Sequence, residues 1–150
     1  MGSLPGALLP RTRLKKLFLL QKKVIRIISN APYSAHTQPL FKNLEILEVW
    51  DLFDHQLANF MFDFDHGNLP DAFSSFFLRV NETHVYNTRS ACQGKLANTV
   101  RTNSVKHGDT MLQNLGVHIY NKISDLNFYK NCKTKHVFSK LYKKFLIARY

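Results

Sequence analysis

The apolar residues of the chain recur at intervals of three and four in several stretches, which is the spacing of one helix face. On this pattern we predict a first helix over residues 14–30 and a second main helix from about residue 48 to residue 65. A third helix begins at Asp109 or Thr110, either of which would cap it, and a last helix runs from about residue 134 to residue 148. The pattern therefore predicts an all-α, mainly helical fold.

Shorter elements complete the predicted organisation. Residues 39–44 are predicted to form a short helix with Pro39 in its first turn, and another helical piece begins at residue 69 and ends near residue 77. Residues 79–108 combine β-branched and turn residues, which predicts an extended loop or a weak β-hairpin. We expect residues 1–13 to form a flexible N-terminal segment and residues 14–150 to form a single helical domain.

The apolar stripes of the first and last helices are expected to face the core. In the first helix the stripe consists of Leu14, Leu17, Phe18, Val24, Ile25 and Ile28, with Gln21 as a polar break. In the last helix it consists of Val137, Phe138, Leu141, Phe145 and Leu146. Phe138 and Phe145 are therefore interpreted as core residues. For Tyr142 and Tyr150, core packing and stacking on nucleic-acid bases are equal alternatives.

Positive charge is concentrated towards the two ends of the chain. The formal net charge is +11, and the first 30 residues contain seven Lys and Arg but no Asp or Glu. Seven of the ten acidic residues lie between residues 45 and 71, so the chain is basic, then acidic, then basic. This balance favours a polyanionic partner, chiefly nucleic acid or anionic lipid. A third alternative is that the acidic second helix neutralises part of the first.

The candidate nucleic-acid-binding residues are the cations outside the apolar stripes. They are Arg11, Arg13, Lys15, Lys16, Lys22, Lys23 and Arg26 in and before the first helix, and Lys140, Lys143 and Lys144 in the last. Lysine and arginine contact phosphates whatever the base sequence. The expected partner is therefore RNA or DNA, bound with low sequence specificity.

The residues that catalysis or metal binding requires do not form a recognisable motif. The sequence has no P-loop, no GxGxxG and no GxSxG. Cys132 and His136 are spaced like a pair of metal ligands, but further ligands would come from irregular positions, so we interpret them as a buried free cysteine beside an exposed histidine. Asp51 and Asp54 share a helix face and are interpreted as hydrated surface rather than a Mg²⁺ site. We expect no catalytic residue, metal, cofactor or small-molecule substrate.

The cysteines and the N-terminal residues indicate the cellular compartment of the protein. Cys92 and Cys132 form no disulfide framework, which fits a reducing environment. No apolar run approaches the ~18 residues of a membrane span, and residues 1–10 lack the charged start of a signal peptide. We expect a nuclear or cytoplasmic location rather than secretion.

The order of several short motifs resembles the region that follows the polymerase domain in jockey-like non-LTR retrotransposon reverse transcriptases. The matching residues are, in chain order, Leu20-Gln21-Lys22, Arg26-Ile27-Ile28, His36-Thr37, Leu40-Phe41, Leu44 with Ile46 and Leu47 before Asp51, Leu69-Pro70 with Phe73, and His84, Tyr86, Thr88 and Arg89 of a His-x-Tyr-x-Thr-Arg motif. A closing basic helix between Phe138 and Tyr150 completes the series. The resemblance covers residues 14–150.

This resemblance implies that the chain is a piece of a retrotransposon polyprotein. The parent family is an RNA-directed DNA polymerase, but its aromatic-Ala-Asp-Asp metal motif and its acidic endonuclease site are absent here. We therefore expect no enzymatic activity from this chain alone, and non-sequence-specific binding of RNA or DNA instead. The alternative is a structural docking module that packs against a polymerase domain. Binding to a membrane surface ranks last, because the stripe of the first helix is ordinary for a core helix.

Overall fold

The computed structural model describes residues 11–73, 75–83, 86, 88–97 and 112–150, without the side chains of residues 11–13. Its α-helices are α1 (Arg11–Ile28), α2 (Gln38–Asn43), α3 (Val49–Asp65), α4 (Val80–Thr83), α5 (Arg89–Cys92), α6 (Leu112–Ile123) and α7 (Lys135–Ile147). The other described elements are two 3-10 turns, Asp71–Phe73 and Tyr129–Asn131, and two strands, β1 (Leu78–Arg79) and β2 (Leu96–Ala97). The predicted mainly helical fold is confirmed.

The predicted boundaries of α2, α3 and α7 agree with the observed ones to within one residue. α1 begins at Arg11, three residues before its predicted start. β1 and β2 pair in antiparallel register within or beside the segment predicted as a loop or hairpin, Leu78 with Ala97 and Arg79 with Leu96. The predicted caps at residues 109 and 110, the 98–108 part of that segment, and residues 1–10 lie outside the described residues.

Residue contacts divide the chain into two compact units. Unit 1 comprises residues 1–55 and 139–150, and unit 2 comprises residues 56–138. Unit 1 contains twelve Lys and Arg against four Asp and Glu, whereas unit 2 contains nine against six. Most of the net charge therefore belongs to unit 1, which also includes all of the predicted phosphate-binding residues. The single domain predicted over residues 14–150 stays a prediction.

Unit 1 is organised around residues 47–49, which lead into α3. From α1, the Gln21 side chain donates to the Leu47 carbonyl (2.8 Å) and accepts from the Val49 N–H (3.0 Å). From the C-terminal end of the chain, the Tyr150 hydroxyl accepts from the Glu48 N–H (2.9 Å). These bonds attach both α1 and the residues after α7 to the start of α3.

The core-facing stripe predicted for α1 is wrong for three of its residues. Leu17, Val24 and Ile28 are 49%, 51% and 59% exposed, whereas Ile25 is buried. The reason is that both Gln21 hydrogen bonds go to the main chain at the start of α3, which turns the Gln21 and Ile25 side of the helix inward. Six apolar side chains of α1 are exposed, and five of them share one side of the helix by their spacing of three and four; we call these five the α1 row: Leu17, Leu20, Val24, Ile27 and Ile28.

The buried face of α7 lies at residues spaced by four. Phe138, Tyr142 and Leu146 are fully buried, which confirms Phe138 as a core residue and places Tyr142 there too. Because this row defines the buried face, Val137 and Leu141 are 47% and 38% exposed, and their predicted core positions are wrong. Phe145 is half-buried, with its ring stacked on Tyr142 at a centroid distance of 6.0 Å.

Tyr150 and Asp51 form a contact that the sequence did not indicate. The Tyr150 hydroxyl donates to the Asp51 carboxylate at 2.5 Å, and both residues are half-buried. Burial and this hydrogen bond raise the pKa of Tyr150. Asp51 is therefore not plain hydrated surface, and Tyr150 belongs to the fold rather than to a base-stacking surface.

Unit 2 is centred on Asp65, the last residue of α3. Its carboxylate accepts hydrogen bonds from Arg79 (2.8 Å), Tyr120 (2.8 Å) and Tyr129 (2.9 Å). Burial alone would raise the pKa of Asp65, but the three bonds together lower it below the ordinary value of a carboxyl. These bonds join α3 to β1, α6 and the Tyr129–Asn131 turn.

Close packing in unit 2 depends on Gly116 in α6. A Cβ at this position would lie 2.6 Å from Phe77 Cε1 and 2.9 Å from the Met61 sulfur, so the glycine allows these side chains to approach the helix. Nearby, the Phe62 and Phe138 rings stack at a centroid distance of 4.8 Å.

Candidate nucleic-acid interface

The cations of α1 have no acidic neighbours within their helix. α1 contains no Asp or Glu, and among the described residues no ion pair joins an α1 cation to an acid. Lys15, Lys16 and Lys23 are exposed, while Lys22 and Arg26 are partly exposed. Arg11 and Arg13 lie in the first turn, and their side chains are outside the described part of the chain. α1 therefore presents several positive side chains that a polyanion can reach.

Lys22 of α1 interacts with an aromatic ring of its own helix and with the charge of Glu48. Its ammonium lies 4.3 Å from the centroid of the Phe18 ring, a cation–π contact. Burial and the charge of Asp51 raise the pKa of Glu48, and the charge of Lys22 opposes that rise. This electrostatic effect is one way in which the acidic second helix and its approach offset charge on α1, and no described ion pair adds to it.

Three lysines of α7, namely Lys140, Lys143 and Lys144, form a second basic group in unit 1. Lys140 and Lys144 are exposed, Lys143 is partly exposed, and α7 contains no Asp or Glu. Lys144 lies in the last turn, where a positive charge also interacts favourably with the helix dipole. Part of its role is therefore to stabilise the helix end.

An exposed aromatic side chain, which no motif in the sequence indicates, follows the end of α1. Tyr33 is 80% exposed, and the Arg26 guanidinium lies 5.5 Å from the centroid of its ring. Arg26 Nε also donates to the Ala35 carbonyl (3.0 Å), which fixes the guanidinium beside the turn. In the sequence, Tyr33 is a single tyrosine directly after the helix-ending Pro32. It belongs to no periodic pattern, so nothing in the sequence predicts that it is part of a site.

A surface pocket of about 490 Å³ lies at this end of α1. It is lined by Lys23, Arg26, Ile27, Asn30, Ala31 and Tyr33. Asn30 has φ +48°, a left-handed conformation that asparagine tolerates and that ends the helix by turning the chain. The pocket thus combines two cations, an aromatic ring and a polar amide.

Cys132 and His136, the pair considered for metal binding, differ in exposure. The Cys132 thiol is buried and donates to the Phe128 carbonyl (3.2 Å), and burial raises its pKa. His136 is exposed, which confirms the interpretation of a buried cysteine beside an exposed histidine. In the described part of the chain, no three His, Cys, Asp or Glu side chains come close enough together to hold a metal ion.

The His-x-Tyr-x-Thr-Arg motif has a structural role in its described part. Thr88 caps α5, because its hydroxyl accepts from the Ala91 N–H (3.3 Å). Tyr86 is 81% exposed and Arg89 is exposed, whereas His84 lies outside the described residues.

None of the described helices combines the length and the apolar content that crossing a bilayer requires. Comparisons with protein-family models, with curated proteins and with solved structures found no match. The resemblance to jockey-like reverse transcriptases stays a prediction.

Proposed function

We propose that this chain binds RNA or DNA without strong sequence preference, through the cations of α1 and through Lys140, Lys143 and Lys144 of α7. The contacts are electrostatic: each lysine or arginine that neutralises a phosphate releases a condensed counterion, so binding is strong at low salt and weakens as salt rises. The activity is binding and not catalysis. A nuclear or cytoplasmic location, and an origin in a retrotransposon polyprotein, belong to the same proposal.

One observation carries the proposal: α1 exposes lysines along a helix without acids, and no described ion pair neutralises them. Like charges three or four residues apart on one helix repel each other and slightly destabilise it, so helix stability does not explain this run of cations. Their number in unit 1, twelve cations against four acids, fits a surface that meets a polyanion.

The affinity of two matched charge variants for a labelled single-stranded oligonucleotide tests the proposal. Lys22→Gln combined with Lys23→Gln removes two cations of α1. Lys130→Gln combined with Lys133→Gln removes two exposed lysines of unit 2 and lowers the net charge equally. We expect the α1 variant to bind about tenfold more weakly and the control to change little. Fluorescence anisotropy measures both. Emission of Trp50, whose ring is 6.3 Å from Phe18, checks that α1 remains packed.

Equal losses in the two variants would contradict the assignment to α1, because net charge alone would then explain binding. Failure of the wild-type chain to bind any oligonucleotide would contradict the proposed function itself.

The second candidate function is a docking module that packs against a polymerase domain. The observation that favours it is the α1 row, five apolar side chains of one helix that are exposed. Exposed apolar patches of this kind commonly mark interaction surfaces. A dye that fluoresces on apolar surfaces should bind the isolated chain, and sedimentation should show self-association. A chain that binds no dye and remains monomeric would contradict this candidate.

A further inference from the structure

We propose that the pocket at the end of α1 receives an unpaired base of a single-stranded nucleic acid. The base stacks on the Tyr33 ring, and Lys23 and Arg26 contact the phosphates on either side. This inference rests on the proposed function and adds the form of nucleic acid that the chain prefers.

The Tyr33 ring is available and held in place. It is 80% exposed, so a base can lie against it without displacing a protein side chain. The turn that carries it is closed by the bond from the Ala35 N–H to the Pro32 carbonyl (2.9 Å). Arg26 bonds to the Ala35 carbonyl and also contacts the ring, so both groups are already positioned before a ligand arrives. A preformed platform loses little conformational entropy on binding.

The other lining residues suit the parts of a nucleotide. The terminal guanidinium nitrogens of Arg26 make no hydrogen bond to any described residue, and Lys23 is exposed, so both cations can contact phosphate oxygens. Ile27 is 77% exposed and offers an apolar surface to a base. The amide of Asn30 provides both donors and an acceptor for a base edge.

Stacking on Tyr33 requires a base that is not already stacked in a duplex. Single strands expose base faces, and aromatic side chains bind them with little regard to sequence. Phosphate contacts alone do not separate single strands from duplexes in this way. Tyr33 and Tyr86 are the exposed members of the Phe, Tyr and Trp side chains that the structure describes, and Tyr33 is the one that adjoins α1.

Three tyrosine variants of the full chain test the proposal against a single-stranded DNA, the RNA of the same sequence and the DNA duplex. Tyr33→Ala removes the ring, Tyr33→Phe keeps it, and Tyr86→Ala removes an equally exposed ring from unit 2. We expect Tyr33→Ala to bind single strands about tenfold more weakly and the duplex with unchanged affinity. Tyr33→Phe and Tyr86→Ala should bind like the wild-type chain. The two single strands show whether RNA or DNA is preferred.

The salt dependence separates this proposal from the proposed function. Because Tyr33 contacts a base and not a phosphate, the slope of log affinity against log salt should be the same for Tyr33→Ala and the wild-type chain. The base pocket is wrong if Tyr33→Ala binds single strands as tightly as the wild-type chain does, or if it loses as much affinity for the duplex as for single strands. Salt-dependent binding that requires Lys22 and Lys23 would still stand in either case. If the wild-type chain binds none of the three nucleic acids, both proposals fail.

Discussion

The cations of unit 1 and unit 2 differ in whether they form ion pairs with acidic side chains. In unit 2, Arg79, Lys95 and Lys135 form ion pairs with Asp65, Asp125 and Asp63. In unit 1, no described ion pair involves an α1 cation or any of Lys140, Lys143 and Lys144 of α7. Both units come from one basic chain, yet the imbalance between cations and acids is much larger in unit 1.

This difference separates charge that stabilises the fold from charge that is free to bind. Asp65, Arg79, Tyr120 and Tyr129, which we call the Asp65 cluster, join four elements of unit 2, and the two tyrosines are buried. The α1 lysines hold no element in place through an acid, and the attachment of α1 depends instead on the neutral Gln21 side chain. We therefore expect changes in the Asp65 cluster to affect stability and changes in the cations of α1 to affect binding.

The largest expected effect on stability is that of Asp65→Ala. The substitution leaves two buried tyrosine hydroxyls and a partly buried guanidinium without their shared acceptor, which should cost about 3 kcal/mol. Urea unfolding followed by circular dichroism measures it. Asp125→Ala is the matched control, because it breaks the ion pair of an exposed carboxylate with Lys95 and should cost less than ~1 kcal/mol. Equal costs would show that the buried cluster has no special importance.

The Asp65 cluster should also make unit 2 sensitive to acid. The folded-state pKa of Asp65 lies below the unfolded value. The carboxylate therefore contributes stability above the unfolded pKa of about 3.9 and loses it as the pH falls through the folded pKa. We expect the free energy of unfolding to decrease between about pH 5 and the acid limit of the folded state, and Asp65→Asn to reduce that decrease. An identical acid dependence in Asp65→Asn would contradict this role.

The smallest expected effect on stability is that of Leu20→Gln combined with Val24→Gln in the α1 row. Both side chains are more than half exposed, so the double substitution should change the free energy of unfolding by less than ~1 kcal/mol while it reduces dye binding and self-association. Ile25→Ala, in the same helix but buried, should cost about 2 kcal/mol. The wild-type chain and the Leu20→Gln, Val24→Gln variant can also be mixed with anionic vesicles. If the wild-type chain binds the vesicles and the variant does not, the partner of the α1 row is a membrane surface rather than a protein.

Local periodicity was sufficient to predict where the main helices lie. The apolar spacing in α3 and α7 extends over four turns or nearly so, and it gave their first residues to within one position. It could not predict which side of α1 is buried. That depends on hydrogen bonds from Gln21 to residues 26 and 28 positions away in sequence, and a polar residue within an apolar stripe does not indicate them.

The candidate nucleic-acid interface could be predicted only where its residues form a local pattern in the sequence. Runs of lysine and arginine without acids are visible in the sequence, so the cations of α1 and α7 could be named. The pocket beside Tyr33 was missed because one tyrosine after a proline has no repeating pattern. The Asp65 cluster was missed because its four members, Asp65, Arg79, Tyr120 and Tyr129, are distributed over 65 residues of sequence and meet through tertiary structure alone.

The most direct test of the central claim is the slope of log affinity against log salt for an oligonucleotide. It compares the wild-type chain with the Lys22→Gln, Lys23→Gln variant and with the Lys130→Gln, Lys133→Gln control. If the α1 lysines contact phosphates, the slope should become shallower by roughly two in the α1 variant, one for each lost contact, and should not change in the control. A slope that is the same in all three proteins would contradict the claim that the unpaired cations of α1 form the nucleic-acid interface.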